Sequence, residues 1–194
     1  ALPIGAAMAQ RAQLERDLTD EKERSDRFAS RMATLANIDD LTGLASRRYF
    51  LDQLDTMAAN ARKAQQALTL AIIDIDHFKP INDRYGHAVG DAVLTRVGEA
   101  CRAAVRSHDV VGRLGGEEFA MLMPVTDEDT AYRIVERLRE AVAAIRVPAS
   151  DGSSVSVTIS IGRSTFVGQQ LDRLLLDADR ALYAAKDTGR NRTV

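Results

Sequence analysis

The sequence predicts an α+β fold of the split-βαβ kind, ferredoxin-like or palm-like. A sheet containing antiparallel strands carries helices packed on it, and a long N-terminal helix precedes it. Three observations predict this. Leu68-Thr69-Leu70-Ala71-Ile72-Ile73-Asp74-Ile75-Asp76 is apolar almost throughout and ends in acid-x-acid, as expected of a strand covered on both faces. Residues 110–114 and 118–123 also read as strands, and Gly115-Gly116 between them supplies the permissive backbone of a tight hairpin. From residue 68 the order is strand, helix, strand, strand, helix, strand.

Residues 1–37 differ from the rest: charged, rich in Ala, Glu and Arg, and without glycine after Gly5. A heptad seam runs Ile4, Ala7, Arg11, Leu14, Leu18, Glu21, Ser25, Phe28, Met32, Leu35. It predicts a dimerising coiled-coil stalk for 1–37, weakened by three polar seam positions. A single solvated helix is the alternative. Residues 38–194 form the second domain.

Within that domain, residues 38–44 break the heptads and read as a loop. Ser46 is the expected N-cap of a helix with Phe50, Leu51, Leu54 and Met57 on one face. After the strand at 68–76, residues 79–83 and 86–91 read as loop. A helix over 91–106 shows Val93, Leu94, Val97, Cys101, Ala104 and Val105 on one side. Beyond the hairpin, Thr126 and Asp129 resemble a capping box opening a helix that buries Ile134, Val135, Leu138, Val142 and Ile145. Following a turn at 148–154, Val155, Val157, Ile159 and Ile161 alternate with polar residues, predicting a strand with one wet face. A last helix carries Leu171, Leu174, Leu175, Ala178, Ala181, Leu182 and Ala185 and stops at Gly189.

With 194 residues the chain holds one good-sized core plus an appendage. Its net charge of −2 gives no bulk attraction to nucleic acid or anionic lipid, so neither is an expected partner. Cys101 is the single cysteine, which excludes an internal disulfide and suits a reducing cytoplasm. No apolar run reaches membrane-spanning length and no secretory leader is present. The expected location is cytoplasmic. Because the sequence starts at Ala1 it is expected to be part of a longer chain with an upstream sensor domain, and whether that parent is anchored in a membrane stays open.

P-loop and dinucleotide-binding glycine patterns are missing, as are a serine elbow and His/Cys metal spacing. Acidic metal chemistry remains. Asp74 and Asp76 share a strand face by the period of two. Glu117 and Glu118, next to the hairpin turn, point oppositely unless the strand is kinked, so one of them should face Asp74. Such a set suggests a Mg²⁺ site gripping a phosphate. A solvated hairpin is the plainer reading of the glutamates alone.

Gly115-Gly116-Glu117-Glu118-Phe119 resembles the signature of the GGDEF diguanylate cyclases. Similar to that family too are Asp39-x-Leu41-Thr42-Gly43-Leu44-x-x-Arg47-Arg48 and Asp74-Ile75-Asp76-x-Phe78-Lys79-x-Ile81-Asn82-Asp83-x-x-Gly86-His87-x-x-Gly90-Asp91. Ser160-Ile161-Gly162 and Ala181-Leu182-Tyr183-x-Ala185-Lys186-x-x-Gly189-Arg190-Asn191 complete the likeness over residues 38–192. His77, Ser46 and Arg163-Ser164 depart from the family's usual residues without touching a position that must ionise or ligate.

The resemblance implies GTP as substrate and cyclic di-GMP as product and inhibitor. It implies Asp74 and Glu117 as side-chain ligands of Mg²⁺ or Mn²⁺, two ions per site with substrate bound. The Ile75 carbonyl would be a further ligand and Glu118 a supporting catalytic acid. Asn82 and Asp91 would read guanine, with Leu41 and Leu94 packed on the base. Lys186, Arg190 and the backbone of His77, Phe78 and Lys79 would hold phosphates. Arg106 and Asp109 match the family's Arg-x-x-Asp product-inhibition site, which Arg137 would complete from a neighbouring domain. The implied enzyme is a homodimer joined through its N-terminal helix. The rival is a non-catalytic receptor for cyclic di-GMP or GTP that signals through the stalk.

Overall fold

The computed structural model describes residues 37–194 together with Lys22. The heptad seam from Ile4 to Leu35 therefore lies outside the described residues. From Ile38 to Val194 the chain forms one compact unit. Its elements are β1 (Ala45–Ser46), α1 (Arg47–Ala64), β2 (Leu68–Ile75), α2 (Phe78–Tyr85), α3 (His87–Ala104), β3 (Val110–Gly115) and β4 (Glu118–Pro124). Then follow α4 (Glu128–Ala143), β5 (Val147–Pro148), β6 (Ser154–Val155), β7 (Ile159–Phe166) and α5 (Leu171–Asp187).

Five strands make one sheet in the order β1-β3-β4-β2-β7, and β5 pairs with β6 in a separate ribbon. Both neighbours of β2 run antiparallel to it, which is the split-βαβ arrangement. All eight residues of β2 are buried, because helices cover both faces. Ala71, Ile73 and Ile75 share a core cluster with residues of α3 and α4. Leu68, Leu70 and Ile72 share the other with residues of α1 and α5. Each such leucine or isoleucine stabilises the fold by roughly 1.5–3 kcal/mol. By parity, Asp74 ends the strand on the α5 side.

Gly162 sets how close α5 comes. A Cβ there would lie 2.1 Å from the Leu182 nitrogen and 2.3 Å from the Ala178 carbonyl oxygen. Only glycine lets the helix rest backbone-to-backbone on β7.

Several sequence expectations need correction. Residues 79–83 are not loop but part of α2. Pro80 sits in the first turn, where its missing N–H is not needed, so it does not break the helix. The helix expected over 91–106 begins at His87 and ends at Ala104. Asp127, not Thr126, caps α4, its side chain accepting the Thr130 N–H at 2.8 Å. Thr126 instead donates to the Pro124 carbonyl. The strand expected at 155–161 is divided: Val155 belongs to the β5–β6 ribbon and β7 starts only at Ile159. Of its expected wet face, Ser156 is exposed and Thr158 half-buried, while Ser160, inside β7, is buried with Ile159 and Ile161. Ser46 does cap α1, accepting from the Tyr49 N–H, and Cys101 lies in the core, where burial pushes its thiol up to about 12.

Candidate active site

The end of β2 and the β3–β4 hairpin build the acidic centre. Asp74 is paired in register with Glu118 on β4 and with Ser160 on β7. It is only 6% exposed, and burial pushes its carboxyl above the usual range even though the Lys186 ammonium lies 2.9 Å from Oδ2. Burial likewise raises Glu117, and the neighbouring Asp74 carboxylate raises it further. The charge of Asp74 therefore reaches Glu117. Glu118 stands opposite Asp74 in the ladder with an exposed side chain. The Ile75 N–H donates to the Glu117 carbonyl at 3.3 Å, closing the hairpin onto the strand end.

The hairpin turn uses Gly115 at φ +145° and Gly116 at φ +51°, and no atom stands within 4 Å of where a side chain would begin. Glycine is required there for conformation rather than for space. Arg113 braces the turn: its Nε and Nη2 donate to the Gly116 carbonyl at 3.1 and 2.7 Å. Its Nη1 meets both oxygens of Asp39 at 3.3 Å. Asp39 also accepts from the Thr42 N–H and hydroxyl at 2.9 and 2.7 Å, so the 38–44 turn and the hairpin are one hydrogen-bonded unit. Sequence reasoning did not assign these braces, although Asp39 belongs to a quoted motif and Arg113 lies two residues before another.

A second group lies around α2 and the start of α3. His77, at φ +57°, is the exposed residue from which α2 starts, and Phe78 is buried beneath it. Lys79 turns its exposed ammonium to Asp83 at 3.0 Å. The Asn82 side-chain oxygen is buried and has no hydrogen-bond partner. It fills the space above Gly90, where a Cβ would stand 1.9 Å from it. Asp91 follows, exposed, while Leu94 is buried and Leu41 packs half-buried against the same core. Arg190 comes just beyond α5, and its charge partly opposes the upward push that burial gives Asp74.

A third group is separate. Arg106 and Asp109 lie past the C-terminal end of α3, about 20 Å from Asp91 by helix rise alone. The Arg106 N–H donates to Asp109 Oδ2 at 2.8 Å, while Oδ1 is buried without a hydrogen-bond partner. The Arg106 residue is exposed. Arg137 on α4 donates to the Ala104 carbonyl at 3.1 Å, so it reaches this turn within its own chain.

The domain is thus of the split-βαβ class, with acids near the end of β2 beside a Gly-Gly hairpin. The chain belongs to the GGDEF family: the family described as "Diguanylate cyclase, GGDEF domain" matches residues 36–192. Among curated relatives, the uncharacterized protein YhcK of Bacillus subtilis (strain 168) is 41% identical over 160 residues, covering 81% of this chain and 45% of its own. Diguanylate cyclase DosC of Escherichia coli (strain K12) is 36% identical over 192 residues, 98% of this chain and 40% of its own. The chain thus spans less than half the length of these relatives. The GGDEF domain of DgcB from Caulobacter crescentus, solved in complex with c-di-GMP, is 35% identical with a TM-score of 0.78, over 81% of this chain and 94% of that one. A structure of the DgcB coiled coil and GGDEF domain gives 32% identity and a TM-score of 0.82, over 92% and 97%. No described helix is long and apolar enough to cross a membrane.

Proposed function

We propose that this chain is a diguanylate cyclase, condensing two GTP into cyclic di-GMP and two pyrophosphates as a homodimer, and restrained by its product. The observation that carries the reading is the convergence of Asp74, Glu117 and Lys186 at the end of β2. Burial raises both carboxylates, so a further positive charge there would be favourable, and the ammonium beside them is suited to phosphate oxygens. The relative DosC bears the name diguanylate cyclase, and DgcB was solved with c-di-GMP, which supports the same chemistry here.

A divalent ion fits this donor set. Asp74, Glu117 and the Ile75 carbonyl offer hard oxygens, and Mg²⁺ is commonly held by one or two carboxylates together with substrate phosphates. When bound, such ions acidify the attacking hydroxyl and neutralise phosphate charge; the choice between Mg²⁺ and Mn²⁺ is one for assay.

The chain's own residues supply the rest. Lys186 and Arg190 orient the triphosphate. Asp91 accepts from the guanine N1–H and N2–H, and the unpaired Asn82 oxygen is a second acceptor nearby. Each 3′-hydroxyl attacks the other nucleotide's α-phosphorus, forming one P–O bond and releasing one pyrophosphate. One domain offers one site, so two must face each other, which gives the N-terminal stalk its role and an upstream sensor its lever.

Incubation with GTP and Mg²⁺ followed by chromatography should show cyclic di-GMP. Absence of product at concentrations where the protein is dimeric would leave the receptor reading in its place.

A further inference from the structure

Asp76, the second acid of the strand end, has no part in the chemistry above, yet it is 5% exposed and fully engaged. Its Oδ1 accepts from the Ser160 hydroxyl at 2.7 Å. Its Oδ2 accepts from the Thr158 hydroxyl at 2.7 Å and from the Asn191 backbone N–H at 3.0 Å. A buried carboxylate is costly unless its oxygens are satisfied in this way. The last of these bonds reaches across to the segment that follows α5.

That segment turns through two successive left-handed residues that are not glycine, Arg190 at φ +59° and Asn191 at φ +47°. Such a backbone persists where its surroundings fix it. The Arg190 N–H is tied to the Ala185 carbonyl at 2.9 Å. The Asn191 side-chain oxygen accepts from Arg139 Nη1 at 2.9 Å, and Arg139 is itself held by Glu136 at 3.0 Å. Beyond Asn191 the chain runs along β7, with bonds from Ile161 N–H to Arg192, Val194 N–H to Ile161 and Arg163 N–H to Val194. Asn191 is thus pinned from below by Asp76 and from the side by Arg139.

We propose that Asp76 and Arg139 are positioning residues which, through Asn191, hold the left-handed turn that aims Arg190 at the triphosphate. The inference rests on the assignment of Arg190 to phosphate made above. It also accounts for the second acid without a metal: Asp76 faces the side of the sheet covered by α5, as the period of two requires, but binds the turn that follows that helix. Asparagine could do the same work. Its oxygen can accept from Asn191 and Thr158 while its amide donates to the Ser160 hydroxyl, which is free to rotate. A metal ligand or a catalytic carboxylate would not survive that exchange.

The test is calorimetric binding of a GTP analogue with an α,β-methylene bridge, in Mg²⁺, alongside guanosine. Asp76→Ala should weaken the analogue about tenfold, as Arg190→Ala should, and leave guanosine unchanged. Asp76→Asn should bind like the wild type. In the Arg190→Ala background Asp76→Ala should cost nothing more, because the two changes remove one interaction. Should Asp76→Ala not fold, Arg139→Met carries the same cycle, with about threefold loss alone and none beside Arg190→Ala. Losses that multiply, or an Asp76→Asn variant as weak as Asp76→Ala, would overturn the proposal. Because binding is read without turnover, a wild type that binds the analogue but makes no product would sink the cyclase reading and leave this one standing. Unchanged affinity in Arg190→Ala would remove the phosphate assignment, and this proposal with it.

Discussion

Lys186 Nζ lies 2.9 Å from Asp74 Oδ2, so the cation assigned to phosphate rests on the carboxylate assigned to metal. On the proposed reading, Asp74 would help hold a divalent ion that neutralises phosphate charge, and Lys186 would turn to the phosphate oxygens. Asp74→Ala should therefore abolish turnover, by about a hundredfold or more, since it removes one of the two carboxylates proposed to hold that ion. Its melting temperature should stay near that of the wild type, because loss of the ion pair is offset by relief of a buried charge. Substantial cyclase activity in Asp74→Ala would remove the metal assignment.

Glu117 gives a pH signature. Burial and the Asp74 carboxylate raise its pKa in the folded state above the unfolded value of 4.5. In that window the folded chain binds more protons than the unfolded one, so Glu117 costs stability as pH rises through it. Glu117→Gln should thus raise the melting temperature at neutral pH in metal-free buffer, and the gain should vanish below the window. Solvent screening at this partly exposed side chain keeps the gain under about 1 kcal/mol. Melts of wild type and variant whose difference does not change between neutral and acid pH would contradict the raised pKa. The same variant should lose turnover as Asp74→Ala does.

Periodicity and motif made much of this arrangement legible in the sequence, and the limits have physical causes. The buried run at 68–75 and the Gly-Gly hairpin were plain because burial on both faces and a positive φ each demand a narrow residue set. Helix α2 was not, since eight residues and a proline look like loop until the proline is placed in the first turn. Alternation at 155–161 could not show that the chain leaves a small ribbon at Val155 before joining the sheet at Ile159. For Asp76 the parity was right, but its partners lie 82, 84 and 115 residues away, which no local pattern records. Arg113 holding Gly116 and Asp39 together is a relation of the same long-range kind.

Guanine selection should reside in Asp91. A carboxylate only accepts, which matches the N1–H and N2–H edge of guanine, whereas serine can donate as well. Asp91→Ser should lower the preference for GTP over ATP by roughly tenfold or more, the usual worth of a hydrogen bond to a charged group. Competition binding that shows unchanged discrimination would place the guanine elsewhere.

The stalk should act through effective concentration. Removing residues 1–36 should lower specific activity in dilute protein and restore it as concentration rises, because two half-sites must then meet by diffusion. Specific activity of the truncated form that does not vary with concentration would exclude that role.

The Arg106–Asp109 turn should be where product restrains the enzyme. Asp109 spends one oxygen on the Arg106 N–H and keeps the other buried without a hydrogen-bond partner, with His108 Nε2 at 3.7 Å. An unpaired buried acceptor of this kind is what a guanine N–H edge would satisfy. The exposed Arg106 guanidinium can take a phosphate or guanine edge in fork geometry, and Arg137 is anchored beside it at Ala104. A plain turn would also use the backbone bond, so the unpaired oxygen and the exposed arginine are what separate the two roles. Since this turn is remote from Asp91, its substitution should spare the first turnovers. Arg106→Ala and Asp109→Ala should keep the initial rate and lose the slowing that sets in as product accumulates. Calorimetry should show cyclic di-GMP binding the wild type at about micromolar or tighter, roughly −8 kcal/mol, with at least about tenfold weaker binding in either variant. Arg137→Ala should fall between them and the wild type, as it flanks the turn rather than forming it. Progress curves of variant and wild type that flatten together at matched product would reduce this turn to a helix-to-strand connection.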